Sequence, residues 1–151
     1  MNASSPADVL IVEDNAEDLE LVLREFADHG LTDRIDVVRD GDEALDYLFC
    51  CGAYGGRPRG ADPRMILLDL KLPKLDGLEI LRRIRGHARL QTVPVVVLTS
   101  SFRDADIVES YGLGATTYLV KPVDAEAFTE IVRRIAQMVV VQRTGESKEA
   151  S

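Results

Sequence analysis

Side chains suited to binding metal ions or phosphate follow four strand-like runs of this sequence. Glu13 and Asp14 follow Val-Leu-Ile-Val, and Asp69 follows Met-Ile-Leu-Leu. Further along, Thr99 follows Val-Val-Val-Leu and Lys121 follows Tyr-Leu-Val. Ligands of open parallel sheets bind beyond the carboxyl ends of the strands. If the four runs are parallel strands, three carboxylates, a hydroxyl and an ammonium therefore converge at one edge of a sheet.

Such a cluster favours a hard divalent cation and a phosphoryl group. Adjacent carboxylates repel one another and stay ionised only if a cation intervenes. Mg²⁺ keeps several waters and typically binds one or two carboxylates together with a phosphate oxygen. Lys121 could contact one phosphoryl oxygen as a point charge, and Thr99 could donate a hydrogen bond to another. We therefore expect Mg²⁺ at this edge and a phosphoryl group on Asp69.

Each of these residues, taken alone, also has an ordinary structural explanation. A single Asp after a strand is usually a helix cap or turn residue, and a Lys-Pro pair is usually part of a loop. Glu13 and Asp14 could cap the helix predicted to start near Asn15. Caps and turns do not readily explain why all of them occur at strand ends in this order.

Apolar and β-branched runs predict five strands, at 7–12, 34–38, 65–68, 93–98 and 116–120. Apolar residues at helical spacing predict helices at 16–29, 41–49, 75–86, 103–111 and 124–141. Strict alternation of strand and helix implies a parallel sheet with helices on both faces and right-handed crossovers. The predicted fold class is a doubly wound, five-stranded α/β domain.

A chain of 151 residues has the size of one domain. We place that domain at 7–141, between an N-terminal extension at 1–6 and a polar tail at 142–151. The Gly- and Pro-rich segment 50–63 is longer than most connections of its kind, and we interpret it as a flexible or partner-specific surface loop. Cys50 and Cys51 match neither zinc nor thioredoxin spacing and are expected to be free thiols, with redox sensing as the alternative.

The overall charge argues against nucleic acid as a partner. Eighteen basic and 26 acidic residues leave a formal charge of −8, and no basic run offers a patch for phosphate backbones. No apolar run is long enough to span a membrane, and the N-terminus lacks the pattern of a secretory signal. We expect a cytoplasmic protein.

Over residues 7–140 the chain resembles the receiver domains of two-component response regulators. The motifs that carry the resemblance are Val-Leu-Ile-Val-Glu-Asp-Asn, Ile-Leu-Leu-Asp-Leu-Lys-Leu-Pro-Lys-Leu-Asp-Gly, Val-Val-Val-Leu-Thr-Ser and Tyr-Leu-Val-Lys-Pro. The resemblance implies the (βα)5 flavodoxin-like fold with strand order 2-1-3-4-5. It also implies a signalling domain, with at most self-catalysed phosphotransfer and autodephosphorylation, rather than an enzyme.

The resemblance assigns metal and phosphoryl roles to residues of this chain. Asp69 would be the phosphoacceptor, and Asp14 and Asp69 would be direct Mg²⁺ ligands. Glu13 would act on the metal directly or through water. Lys71 would supply its backbone carbonyl to the metal. Its side chain, where relatives often carry Asn, would alter the metal affinity or tune the dephosphorylation rate. Lys121 would form an ion pair with the phosphate.

The resemblance also assigns the residues that respond to phosphorylation. Thr99 would follow the phosphoryl group, and Tyr118 would be the aromatic switch residue. Ser101 would be a second residue that tunes dephosphorylation. The peptide bond between Lys121 and Pro122 is expected to be cis.

The segment 50–63 and the stretch after Asp69 look like those of small receivers that partner bacterial and cyanobacterial phytochrome histidine kinases. The implied partners are a sensor histidine kinase, with a bacteriophytochrome as the candidate, and a downstream protein. We also expect a homodimer through the fourth helix, the fifth strand and the fifth helix. Val140 and Val141 motivate the dimer, because they fall outside the apolar stripe of the last predicted helix.

Three other functions fit the sequence less well. Haloacid-dehalogenase-like phosphatases and ATPases need a second Asp two residues after the nucleophile, where this chain has Lys71. A flavodoxin-like cofactor domain needs backbone N–H groups facing an anion after the first strand, where Glu13 and Asp14 would repel it. An inert pseudo-receiver is disfavoured because the full set of acidic, hydroxyl and lysine residues is present.

Overall fold

The computed structural model describes residues 9–28, 35–57, 62–99, 109, 111–121, 124, 126–131 and 133–134. Its five strands are β1 (Val9–Val12), β2 (Ile35–Val38), β3 (Met65–Asp69), β4 (Val95–Thr99) and β5 (Thr117–Val120). All neighbouring pairs are parallel, and the order across the sheet is β2-β1-β3-β4-β5. The predicted fold class and strand order are confirmed.

The strand ends differ slightly from the sequence prediction. The strand predicted at 93–98 begins at Val95, because Pro94 has no N–H with which to extend the ladder. Both β3 and β4 continue one residue further than predicted. Asp69 and Thr99 are therefore the last residues of their strands rather than the first residues after them.

The structure contains the helices α1 (Ala16–Asp28), α2 (Gly41–Phe49) and α3 (Gly77–Arg85) and the short 3₁₀ turns Gly52–Tyr54 and Ala88–Leu90. The helix predicted from residue 75 begins at Gly77 because Asp76 caps it, its Oδ1 accepting the Leu78 N–H at 3.0 Å. Residues 126–131 are helical, whereas most of the helix predicted at 103–111 lies outside the described residues. The terminal segments 1–6 and 142–151 also lie outside them, so the domain limits stay predictions.

The sheet is apolar on both faces because helices cover both. Leu10 and Val12 of β1 pack into a buried cluster with α2 and α3. Val9 and Ile11 point the other way, into a cluster with α1 and Phe128 of the segment 126–131. Strands buried on both faces leave their carboxyl ends as the place where polar groups can gather. Within the described part of the chain, no helix is long and apolar enough to cross a bilayer.

Two arginines anchor the segment that follows α2. The Arg57 guanidinium donates to the Tyr47 carbonyl at 2.6 Å and lies 4.3 Å from the centre of the Tyr47 ring. Arg89 donates to the Leu48 carbonyl at 2.6 Å and forms an ion pair with Asp62 at 2.8 Å. These bonds satisfy carbonyls at the helix end. The described parts of the predicted loop are thus anchored on the domain; residues 58–61 lie outside them.

The adjacent thiols lie where α2 ends. Cys50 adopts a left-handed conformation with φ of 57° and closes the helix. Cys50 and Cys51 are both thiols and neither forms a disulfide bond, as their spacing predicts.

Arg85 joins two connecting segments at the end of α3. Its guanidinium donates to the Gly114 carbonyl at 2.8 and 3.0 Å. It also donates to the carbonyls of Leu90, Gln91 and Val93, at 3.0, 3.1 and 2.8 Å. Burial lowers the pKa of Arg85. The guanidinium thereby links the segments that lead into β4 and β5, the two strands that carry Thr99 and position Lys121.

Arg85→Met should lower the free energy of unfolding by about 3 kcal/mol, because the carbonyls that Arg85 serves would lose a charged donor. Urea denaturation followed by circular dichroism measures the change. The matched control is Arg83→Met, since Arg83 is exposed on the same helix and pairs with Glu79 at 3.5 Å. That variant should lose less than about 0.5 kcal/mol. Equal losses in the two variants would contradict the role given to Arg85.

Candidate functional site

Three polar side chains are buried where the central strands end. The exposed fraction is 0% for Glu13, 2% for Asp69 and 1% for Thr99, and no other polar or charged side chain in the described residues is classed as buried. The ladder places them together: the Glu13 N–H donates to the Val38 carbonyl at 3.1 Å, and the Lys121 N–H donates to the Thr99 carbonyl at 2.7 Å. Parallel pairing thus brings the ends of β1, β3, β4 and β5 to one edge.

The Lys121 ammonium lies at the centre of the acidic cluster. Its Nζ is 2.7 Å from Glu13 Oε1, 2.9 Å from Asp69 Oδ2 and 2.9 Å from Asp18 Oδ2. The lysine side chain is 11% exposed. A buried charge is stable only when it is paired, so the ammonium and the carboxylates depend on each other for their burial.

The protonation balance follows from this burial. Burial raises the pKa of Glu13 to about 7, the adjacent Asp69 raises it as well, and Lys121 opposes the change. Burial by itself would lower the pKa of Lys121, but the contacts with Glu13, Asp69 and Asp18 outweigh that effect and raise it. Lys121 therefore stays charged at neutral pH, whereas the Glu13 carboxyl titrates near neutral pH.

Three carboxylates at this edge fit a hard divalent cation. Glu13, Asp14 and Asp69 each offer an oxygen within 4.8 Å of the other two, and Asp14 is exposed to solvent. Glu13 Oε1 is buried and makes no well-aligned hydrogen bond within the described residues, although it lies close to Lys121. Hard oxygen donors, one of them open to water, match the preference of Mg²⁺ or Mn²⁺ for carboxylates and retained waters. These residues could hold such an ion.

A cleft of about 620 Å³ adjoins the acidic edge on the side of β4. Its lining is formed by Leu70, Lys71, Leu72, Lys74, Leu75, Asp76, Leu78 and Thr99. The Lys71 N–H donates to Asp69 Oδ1 at 2.9 Å, while the Lys71 residue as a whole is exposed. A phosphoryl donor could therefore approach the acidic edge from solvent past Lys71 and Thr99.

The start of α3 sets the shape of the loop after Asp69. Gly77 donates its N–H to the Leu70 carbonyl at 3.0 Å. A Cβ at position 77 would lie 2.5 Å from the Asp69 carbonyl oxygen and from the Leu70 Cα, far closer than carbon atoms approach. Lys74 adopts a φ of 71° in the same loop, and its ammonium pairs with Asp40 at 3.3 Å.

Most of the residues predicted from sequence fall at this site. Glu13, Asp14, Asp69 and Lys121 lie together, and Thr99 and Lys71 line the adjoining cleft.

Some predicted residues lie apart from it or outside the description. Tyr118 is half-buried on β5 and packs edge-to-face against Tyr111, with ring centres 5.9 Å apart. Ser101 and Pro122 lie outside the described residues, so the tuning role and the cis bond stay predictions.

Asp18 belongs to the site, and the sequence analysis missed it. Helical spacing directed attention to the apolar stripe of α1, not to its acidic first turn. The available signal was Asn15 as a candidate cap three residues before Asp18, which places Asp18 in the first turn of the helix, next to the strand end. A carboxylate in the first turn also looks like an ordinary dipole partner, which is why spacing alone did not distinguish it.

The fold and the site define a class of protein: a doubly wound α/β domain whose sheet edge carries a buried acidic cluster paired with one lysine. A family model described as "Response regulator receiver domain" matches residues 9–133, and the chain belongs to this family.

Named relatives support the assignment. The "Probable methanogenesis regulatory protein FilR2" of Methanothrix harundinacea is 43% identical over 137 residues, covering 91% of this chain and 86% of that protein. "Response regulator Rcp1" of Synechocystis sp. is 36% identical over 133 residues, covering 88% of each. The structure of its "Mn(2+)-bound form" has a TM-score of 0.71 and covers 86% of this chain and 91% of that one. The "Bacteriophytochrome response regulator RtBRR" has a TM-score of 0.77 at 45% identity, covering 86% and 78% of the two chains.

Gly77→Ala should destabilise the domain by about 2–3 kcal/mol, because the added Cβ meets backbone atoms that cannot rotate away. Thermal or urea unfolding measures the loss. Gly56→Ala is the control, since a Cβ there meets nothing within 4 Å, and its effect should stay within about 0.5 kcal/mol. A neutral Gly77→Ala would show that α3 can withdraw from Asp69 at little cost.

Proposed function

We propose that Asp69 accepts a phosphoryl group from a sensor histidine kinase in a Mg²⁺-dependent reaction, and that the domain then signals through protein contacts. One observation carries this proposal: Asp69 is buried at the end of β3, in contact with the Lys121 ammonium and within reach of two further carboxylates. A carboxylate held this way is a ready nucleophile beside groups that can bind phosphoryl oxygens.

Each residue of the edge has a defined part in the proposed transfer. A carboxylate oxygen of Asp69 attacks phosphorus, the P–N bond to the kinase histidine breaks, and the imidazole takes up a proton. Lys121 binds a phosphoryl oxygen, and the Thr99 hydroxyl donates to another. Glu13, Asp14, Asp69 and the Lys71 carbonyl would hold the metal. When bound, a divalent ion would neutralise charge on the phosphoryl oxygens.

The output is proposed to be a change of shape, not catalysis of a further reaction. Thr99 lies at the end of β4 and Tyr118 on the neighbouring β5, so a shift of the hydroxyl towards a phosphoryl oxygen can alter the packing around Tyr118. Tyr111, whose ring contacts Tyr118, is 45% exposed. A partner protein that binds Tyr111 would therefore sense the altered packing of Tyr118. Lys71 and Ser101 would set how long the phosphoryl group lasts.

The kinase proposed for this chain is a bacteriophytochrome. RtBRR is named as a bacteriophytochrome response regulator, and the chain covers most of that protein at 45% identity. A relative named for methanogenesis regulation is comparably similar, so a kinase of another pathway is the competing partner. Either kinase would place the chain in the cytoplasm, as expected from its sequence. The homodimer stays a prediction, since Val140 and Val141 lie outside the described residues.

Asp69→Asn should reduce labelling by about two orders of magnitude or more, because the amide cannot form the acyl phosphate. Phosphotransfer from a panel of purified histidine kinases that includes a bacteriophytochrome measures it and identifies the donor. Chelation of divalent ions should abolish labelling of the wild type to a similar extent. Asp28→Asn is the control and should be labelled as the wild type is, because Asp28 is exposed at the end of α1 that is remote from the acidic edge. Undiminished labelling of Asp69→Asn would overturn the proposed function.

Thr99→Ala should still accept a phosphoryl group but should lose about half or more of the amide chemical-shift change at Tyr118. The reason is that a switch needs contacts that differ between its two states, and the hydroxyl supplies such a contact. NMR spectra with and without phosphodonor give the comparison. Thr117→Ala, which lies next to Tyr118 but does not line the cleft, should respond as the wild type does. A full response in Thr99→Ala would place the coupling elsewhere.

A further inference from the structure

The first turn of α1 directs a carboxylate into the site. The Asp18 N–H donates to Asn15 Oδ1 at 2.9 Å, so Asn15 caps the helix and Asp18 occupies its third position. Side chains of a helix lean towards its N-terminus, which here is the carboxyl edge of the sheet. Asp18 Oδ2 lies 2.9 Å from Lys121 Nζ. The positive end of the helix dipole favours a carboxylate at this position.

The three carboxylates that contact Lys121 are not equivalent. Glu13 and Asp69 belong to the trio whose oxygens could hold a divalent ion, and Asp18 does not. The ammonium contacts Glu13 through Oε1 and Asp69 through Oδ2. A metal ion and Lys121 therefore compete for the same two side chains, whereas Asp18 contacts Lys121 and lies outside the metal trio found in the described residues.

We propose that Asp18 is a positioning residue that holds the Lys121 ammonium at the edge of the site while a divalent ion takes over Glu13 and Asp69. This inference rests on the proposed function. With Asp18 in place, metal binding does not leave the ammonium buried without a partner, and Lys121 stays within reach of a phosphoryl oxygen. Without it, the carboxylates that still contact Lys121 within the described part of the chain are the metal ligands, and Lys121 competes more strongly with the ion.

The test compares two variants that change the charge equally on the same turn. Asp18→Asn removes the carboxylate that contacts Lys121. Glu17→Gln removes the neighbouring one, which is exposed and is not among the carboxylates that contact Lys121. Any general effect of charge on metal binding appears in both variants. A thermal melt of each confirms that it is folded.

Binding of Mn²⁺ to the unphosphorylated protein, followed by the electron paramagnetic resonance of the free ion, is the first measurement. Asp18→Asn should weaken binding about tenfold, and Glu17→Gln less than about twofold. Asp18→Glu, which restores a carboxylate on a longer side chain, should recover most of the affinity. The second measurement is the NMR signal of the Lys121 ammonium at saturating Mg²⁺. It should persist in the wild type and in Glu17→Gln, and broaden by exchange with water in Asp18→Asn.

The outcomes separate this inference from the proposed function. Equal Mn²⁺ affinities in Asp18→Asn and Glu17→Gln, tighter binding in Asp18→Asn, or an unchanged ammonium signal would each overturn the role of Asp18 while leaving Asp69 as the phosphoacceptor. A wild type that binds no Mn²⁺ would overturn the metal part of the proposed function and this inference with it. Weakened binding and a lost ammonium signal, both confined to Asp18→Asn, would establish it.

Discussion

The arrangement of this domain depends on one buried ion-pair cluster, in which the Lys121 ammonium contacts Glu13, Asp18 and Asp69. Removing any of these charges from water is costly, and their mutual contact offsets part of that cost. Three carboxylates around one ammonium still leave an excess of negative charge. The cluster therefore pairs its buried charges but keeps a net negative charge. A divalent ion can neutralise that charge, and a phosphoryl group can then be bound beside Lys121.

The rest of the fold holds this cluster in position. Strands that are apolar on both faces confine polar groups to the sheet edge, and the two buried clusters secure each face with helices. Around that core, arginine side chains hold the irregular segments by donating hydrogen bonds to their carbonyls. Arg85 joins the segments before β4 and β5, while Arg57 and Arg89 satisfy the carbonyls at the end of α2. The segments that lead into β4 and β5 are thereby fixed on the domain.

The buried and the exposed residues of the acidic edge occupy different positions relative to solvent. Asp69 is buried beside Lys121, whereas Asp14 and Lys71 are exposed and meet solvent or a partner first. Lys71 contributes in two ways, with its N–H on Asp69 Oδ1 and its side chain at the mouth of the cleft. Under the proposed function, a cation at that mouth would attract an anionic donor and would alter the approach of the water that removes the phosphoryl group.

The sequence by itself determined the order of strands and helices, the limits of α2 and the four strand ends where acidic, hydroxyl and lysine residues occur. These properties are local, since apolar periodicity and capping residues act over a few positions. The late starts of β4 and α3 follow from Pro94 and Asp76, whose effects are also local. Only the tertiary structure decided that Asp18 meets Lys121 and that Arg85 reaches Gly114. Such contacts join residues far apart in the chain, and helix packing against the sheet, not sequence spacing, sets their distances.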